Sequence, residues 1–302
     1  MPRLWVSALA LLGVSAFASQ ARAQACCAGS GVLTPGRLNL HEDAAAGLQV
    51  KAVGLYGSYD GKGRFVASPS GATETDLEQD LLWTVRLFER GQLTGMLPFV
   101  ETLRKVPGIS EKGGGIGDLQ LNGRWDFTLT GASTRVPGIG LLVGLTLPTG
   151  TAPERAEQAL GTDATGTGAF QGALGLSLEQ TFGKWLVNIT GSGTIHARRT
   201  TTVGKVQEGL GLTGFVAVGY SWDNGLTVAL TTSYLGQLPA KIDGVTEADT
   251  GRVQIRPTVA AGYTFNDAFR IQGNVFFDIP AAHAGQNENA GAGAAVTALR
   301  TF

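Results

Sequence analysis

The stretch from Ile116 to Leu129 sorts its residues by parity. Leu119, Leu121, Gly123, Trp125, Phe127 and Leu129 alternate without exception with Asp118, Gln120, Asn122, Arg124, Asp126 and Thr128. A helix would scatter these two sets around its circumference, whereas a strand sends successive side chains to opposite faces and separates them completely. The pattern recurs. Leu81, Trp83, Val85 and Leu87 oppose Thr84 and Arg86; Phe170, Gly172, Leu174, Leu176 and Leu178 oppose Gln171, Ser177 and Glu179; Val253 to Phe265 oppose Arg252, Gln254, Arg256, Thr258 and Thr264; Phe269 to Ile279 oppose Arg270, Gln272, Asn274 and Asp278. The chain is therefore all-β, with one apolar and one ionic face.

Alternation alone does not separate a membrane barrel from a soluble sandwich. Strand length and turn rhythm do. Strands are read at 47–59, 76–89, 92–105, 115–130, 137–147, 168–180, 185–197, 206–221, 225–236, 252–265, 268–279 and 290–302. Most exceed the usual strand of about 5–6 residues and reach the roughly 9–11 that cross a bilayer at a tilt. Short connections at Arg90-Gly91, Thr181–Lys184, Trp222–Gly225 and Asn266-Asp267 alternate with long ones at 60–75, 106–114, 148–167, 198–205, 237–251 and 280–289. Short periplasmic turns and long outer loops in succession are the rhythm of a transmembrane up-and-down antiparallel β-barrel, here of about twelve strands.

The ends of the chain agree. Met1-Pro-Arg3, an apolar run from Leu4 to Ala18 and Ala21-Arg22-Ala23 form a secretory signal peptide, too short in its apolar run to span a membrane. The expected organisation is a signal peptide at 1–23, an N-terminal periplasmic segment at 24–46 and the barrel at 47–302, exported to the outer membrane of a Gram-negative cell. The terminal Phe302 suits recognition by the barrel-assembly machinery, although Arg300 interrupts the apolar alternation that leads to it. Tyr56, Phe88, Phe99, Trp185, Tyr220, Trp222, Tyr234, Tyr263 and Phe265 stand near strand ends, as interfacial girdles against outer-membrane lipid require.

Composition removes other classes. Charged residues make up 16% of the chain, against about 25% in soluble proteins, and 45 glycines are about twice the usual share. A net charge of −1 supplies no basic field for nucleic acid. Cys26 and Cys27 lack a leucine-like residue three positions earlier for lipid attachment, and no ligand histidine stands beside them for zinc. They read as thiols of a flexible segment or as a vicinal disulfide.

Gly115-Ile-Gly-Asp118-Leu119, then Gly138-Ile-Gly-Leu-Leu-Val-Gly-Leu-Thr-Leu-Pro148-Thr149-Gly150, then Leu160-Gly161-Thr162 and a strand ending at Thr181–Lys184, resemble the outer-membrane proteins grouped with the meta-pathway of phenol degradation, over roughly residues 113–197. The resemblance implies a barrel that passes small, often aromatic or hydrophobic, compounds, and no catalytic residues. Asp163 stands where a glycine often follows Leu-Gly-Thr in that family.

No enzymatic constellation is found. Gly113–Gly117 lacks the Lys-Ser/Thr of a phosphate loop and precedes a strand, not a helix. Among His41, His196 and His283 none sits in a His-x-Ser arrangement, and Ser192 is too far along its strand from His196 for a hydrogen bond. No catalytic, cofactor or metal site is expected. Pro153–Gln158 reads equally as a short helix or as a solvated charge cluster.

With apolar residues facing lipid, Lys51, Arg86, Asp118, Arg124, Asp126, Glu179, Arg252, Arg256, Arg270 and Asp278 are the candidate lumen lining. Their mixed signs suggest arginines facing carboxylates across a narrow bore, as braces or as a selectivity element. Two functions follow. One is an outer-membrane channel for a small-molecule solute; the other is a non-transport barrel that binds a ligand or partner through its outer loops.

Overall fold

The computed structural model describes residues 37–38, 42–131, 135–266 and 268–302. The expected signal peptide, Cys26, Cys27 and His41 lie outside these residues. Twelve long antiparallel strands follow one another around a closed barrel: β1 (Ala44–Tyr59), β2 (Thr73–Leu87), β3 (Gly91–Val106), β4 (Leu119–Thr128), β5 (Gly138–Leu147), β6 (Gln171–Phe182), β7 (Trp185–His196), β8 (Gly211–Ser221), β9 (Leu226–Gln237), β10 (Arg252–Asn266), β11 (Phe269–Phe277) and β12 (Glu288–Thr301). Each pairs with its neighbours in sequence, and β1 closes on β12 in a register from Ala45↔Thr301 to Tyr59↔Glu288. Closure satisfies every strand edge internally, which hydrocarbon demands because it offers the backbone no hydrogen bonds.

The two faces are divided as the alternation predicts. On β6, Leu174 and Leu176 are more than half exposed, while Ser177 and Glu179, on the opposite parity, are buried. The same inversion holds around the barrel, with Val143, Val216, Leu230, Val259, Val275 and Val296 all on the outside. Leaving a side chain of this kind in water forfeits about 1.5–3 kcal/mol. A wall made of them is stable only against lipid.

Aromatic side chains gather at the end of the short turns. Trp185, Tyr220 and Trp222 stack edge to face across β7 and β8, Tyr263 and Phe265 do so on β10, and Phe88 meets Trp125. Tyr56 departs from the girdle expectation. Its hydroxyl donates to the carbonyl of Asp278, so it ties β1 to the chain beyond β11. Arg300 is accommodated on the outer face by stacking its guanidinium 5.0 Å from the Phe302 ring, a cation–π contact that keeps the charge at the boundary. A glycine is required at Gly95, where Trp83 of β2 lies flat across β3 and a Cβ would come within 2.1 Å of its indole.

Three boundaries differ from the sequence reading. The expected loop 106–114 is largely strand, because β3 runs out past the wall and folds back through Ile109–Ile116 as a hairpin. Residues 206 and 207 do not open β8; Gly204–Gln207 pairs with Arg199–Thr201 and Lys241–Ile242 in a small sheet, completed by Val245–Thr246, that joins two long loops. The cluster at 153–158 contains a single 3-10 turn, Pro153–Arg155, whose Glu154 pairs with Arg199 at 2.8 Å.

Candidate functional site

The inner face is uneven in side-chain size and charge. From β5 to β9 it is built mainly from small residues: Gly140 and Gly144, Ala173 and Ser177, Thr190 and Ser192, Ala217 and Gly219, Ala229 and Thr231. Charged residues concentrate on β1–β4, on β6, and on β10–β11 with the residue that follows.

At the short-turn end, a four-membered network holds Arg124 and Asp126 of β4, Glu179 of β6 and Arg37 of the N-terminal segment. Arg124 lies 2.8 Å from Asp126 and 2.9 Å from Glu179, reaching over β5 to do so. Gly140 permits the crossing, since a Cβ there would sit 2.9 Å from the Arg124 guanidinium and 3.0 Å from Asp126. Arg37 pairs with Asp126 at 3.1 Å and with Glu179. Thr130 also donates to Glu179, and Ser177, Asn188 and Thr190 extend the network along β6 and β7. Side chains of the four ionic members are 6–11% exposed, and two cations balance two anions. Buried charges require this kind of compensation.

A second pair lies elsewhere on the ring at the same end. Arg270 of β11 meets Glu42 at 2.9 Å with both side chains buried. Arg86 donates through Nε to the Glu42 carbonyl, and Gln92 of β3 accepts from the Leu38 backbone N–H. Arg37, Leu38 and Glu42 gave no signal in the sequence, because they precede the alternating pattern.

Towards the long loops, Arg256 forms a two-point contact with Asp278 at 2.9 and 3.0 Å and lies over the Phe276 ring. Asp278 also accepts from the Gly291 amide. Lys51 pairs with Glu78 on the adjacent strand, and Arg252 sits exposed at the rim, 3.7 Å from Glu288. The expected ladder of arginines facing carboxylates across the bore is thus corrected. These pairs link strands that are adjacent or two apart, because a short lateral reach gives full hydrogen-bond geometry and a reach across the lumen does not.

The sequence reading missed an acidic stripe. Glu74, Asp76, Glu78 and Asp80 are all on the inner face of β2. Arg104 pairs with Glu74, Thr102 donates to Asp76, and Asp80 is buried with no hydrogen-bond partner for its Oδ1 among the described residues. Its signal was present as T-E-T-D-L-E-Q-D, four acids at a period of two.

Asp118 has a different role from the wall charges with which it was grouped. Its Oδ1 accepts from the Gly150 amide and its Oδ2 from the amide and hydroxyl of Thr167. Thr149 completes the clasp by donating to the Gly117 carbonyl and accepting from the Leu119 amide. The Gly-Asp-Leu and Leu-Pro-Thr-Gly motifs are therefore the two halves of a device that folds loop 148–167 back onto the barrel. In the same loop Asp163 accepts from the amides of Glu157 and Gln158, the first of which most strongly holds its carboxyl below the usual range. His196 is engaged through Nδ1 with the Gly209 carbonyl at 3.0 Å.

The closed wall, the lipid-facing apolar surface and the balanced charges within define an outer-membrane-type β-barrel of twelve strands. The chain belongs to the family described as "Putative MetA-pathway of phenol degradation", whose model matches residues 57–298. Its fold is similar to that of an outer membrane channel from Pseudomonas putida F1, with a TM-score of 0.74 at 19% identity over 89% of this chain and 100% of the other. More distant are the toluene transporter TodX of Pseudomonas putida, with a TM-score of 0.41 at 10% identity over 86% and 90% of the two chains, and the translocator domain of the autotransporter NalP from Neisseria meningitidis, with a TM-score of 0.48 at 10% identity over 90% and 91%. Curated protein sequences give no match.

Proposed function

We propose that the protein is an outer-membrane channel through which a small solute diffuses passively along the barrel axis. The observation that carries this reading is the inner face from β5 to β9. Its glycine, alanine, serine and threonine side chains occupy little of the volume that a twelve-strand barrel encloses, between the filled interior of about eight strands and the open channel of 16 or more. The family's description points to aromatic compounds as the solute class. A wall of hydroxyl and small apolar groups suits them, because a phenolic solute presents a ring and one hydrogen-bonding group.

In this reading the charged arcs, with Lys51, Arg86, Arg124, Asp126, Glu179, Arg256, Arg270 and Asp278, border the path and set its ion preference. Arg252 stands at its outer rim and Asp118 shapes the loop above it. Outer-membrane lipid surrounds the barrel, and export through a cleaved signal peptide followed by the barrel-assembly machinery delivers it. The test is single-channel conductance of the refolded mature chain in a planar bilayer. Discrete steps whose selectivity shifts towards cations in Arg256→Ala are expected, because Asp278 keeps its charge when the arginine is lost. A folded barrel with no conductance and no uptake of phenol into loaded vesicles would overturn the reading.

A further inference from the structure

The glycine run 113–117 has a use that the channel reading leaves unassigned. Ile109–Ile116 pairs with β3 in a register that sets Glu111 opposite Arg104, Gly113 opposite Thr102 and Gly115 opposite Val100. Residues directly opposite in an antiparallel pair share a face. Thr102 and Arg104 bond the acidic stripe of β2, so that face is the inner one. Loop 148–167 packs against it. A Cβ at Gly113 would sit 2.6 Å from the Thr162 carbonyl carbon, and one at Gly117 would sit 3.2 Å from the Thr165 carbonyl oxygen. The run is therefore a cradle, bare of side chains, in which another stretch of backbone lies. At its rim Glu111 accepts from the Leu160 amide at 2.7 Å, Arg104 donates to the Leu160 carbonyl, and Gln158 reaches the Lys112 carbonyl at 3.3 Å. The other flank of the loop is held just beyond β7, where Arg199 bonds Glu154 and the Thr167 carbonyl. A segment rooted at β5 and β6 that lies on the inner face of β3 has folded inside the barrel mouth.

We infer that loop 148–167 is the constriction of the outer mouth, and that solute passes it through a cavity on its β1–β2 side. The inference rests on the channel reading and names what sets its selectivity. The cavity has a volume of about 380 Å³ and is lined by Leu55 and Ser58 of β1, Val66 and Pro69 of the connection that follows, Glu74 of β2 and Arg104 of β3, among others. Ligand pockets run from about 300 to 1,000 Å³, so this one suits a solute of a single ring. Leu55, Val66 and Pro69 offer such a ring an apolar wall, and Ser58 offers its polar group a partner. Arg104 joins the loop to the cavity. Glu74 holds its Nε and Nη2 and the Leu160 carbonyl holds its Nη1, so its charge is neutralised at the cavity wall and its position is fixed by the loop. Seating the loop thus obstructs the axial route on the β3–β7 side and completes one wall of the cavity at the same time. Pore dimensions and lining groups are what select among solutes, and both are set here by one loop.

The experiment uses refolded mature chains in planar bilayers and in vesicles that swell as sugar enters. Thr165 donates its amide to the Thr151 carbonyl at 3.0 Å, so the neck of the loop can be joined by Gly-Gly in place of residues 152–164. Gly113→Val keeps the loop and fills its cradle. The heat-modifiable gel shift of a closed barrel verifies folding of each. The shortened chain is expected to show a severalfold larger unit conductance and to admit the trisaccharide raffinose almost as fast as the monosaccharide arabinose, whereas the mature chain separates the two. Gly113→Val moves both readouts in the same direction. Leu55→Trp, which fills the cavity, should cut the conductance of the mature chain severalfold and that of the shortened chain little, because removal of the loop opens another route. Unchanged conductance and unchanged sugar discrimination in the folded shortened chain would overturn the constriction. Equal fractional losses from Leu55→Trp in both backgrounds would overturn the cavity route. Either result leaves the channel reading intact. If the shortened chain fails to close as a barrel, Gly113→Val decides by the same two readouts. Silence of every folded chain refutes the channel reading itself, and the constriction with it.

Discussion

Removing Arg124 should destabilise the barrel more than any substitution on its outer face. Arg124, Asp126, Glu179 and Arg37 form a closed set of two cations and two anions with side chains 6–11% exposed. Arg124→Met retains most of the arginine's apolar stem but leaves Asp126 and Glu179 facing Arg37 alone. Breaking one partner out of a buried pair costs about 3–5 kcal/mol, most of it the penalty of the charge left behind. Glu179→Gln removes the excess negative charge from the other side of the same contact. The double variant should therefore cost less than the sum of the two singles, by a coupling of about 1–3 kcal/mol. The assay is urea unfolding in lipid vesicles followed by the fluorescence of Trp125, which is adjacent in sequence to Arg124. Lys184→Gln is the control. Its ion pair with Asp223 is 45% and 86% exposed, and its loss should leave the midpoint unchanged. Strict additivity, or an Arg124→Met midpoint indistinguishable from that control, would refute the reasoning that this network is buried and mutually compensating.

Two further outcomes follow from loop 148–167. Asp118→Ala strips acceptors from the amides of Gly150 and Thr167, so trypsin should cut at Arg155 much faster while the barrel keeps its unfolding midpoint; unchanged cleavage would show that the clasp does not hold the loop. The Asp163 carboxyl, held below its ordinary 3.8 first by the Glu157 amide, contributes order that is fully present above that value and is lost as pH falls through the depressed one. Amide exchange at Glu157 and Gln158 should therefore accelerate only under strongly acidic conditions, and Asp163→Asn should abolish that pH dependence.

Much of this architecture is written in local order. A strand has a period of two, so Leu119 to Leu129 and their polar partners fall on opposite faces whatever strands they pair with, and the alternation of long and short connections is that of an up-and-down barrel. The acidic stripe on β2 was equally visible in its spacing. Other features could not be read because they depend on which strands become neighbours. Arg124 finds Glu179 fifty-five residues away only because β4, β5 and β6 lie side by side in a register that puts Gly140 between them. Asp118 leaves the wall charges to clasp a loop whose donors are brought to it by the return of the chain from β5 to β6. Arg37 carries no period and no motif. Its position became defined only when the ring closed and set carboxylates on one side of the bore and Arg270 on the other. Which side of the wall a strand residue occupies is a local property, since it follows from backbone geometry one residue at a time. Which charges meet is not, because barrel closure and strand register bring together residues that are remote in the chain.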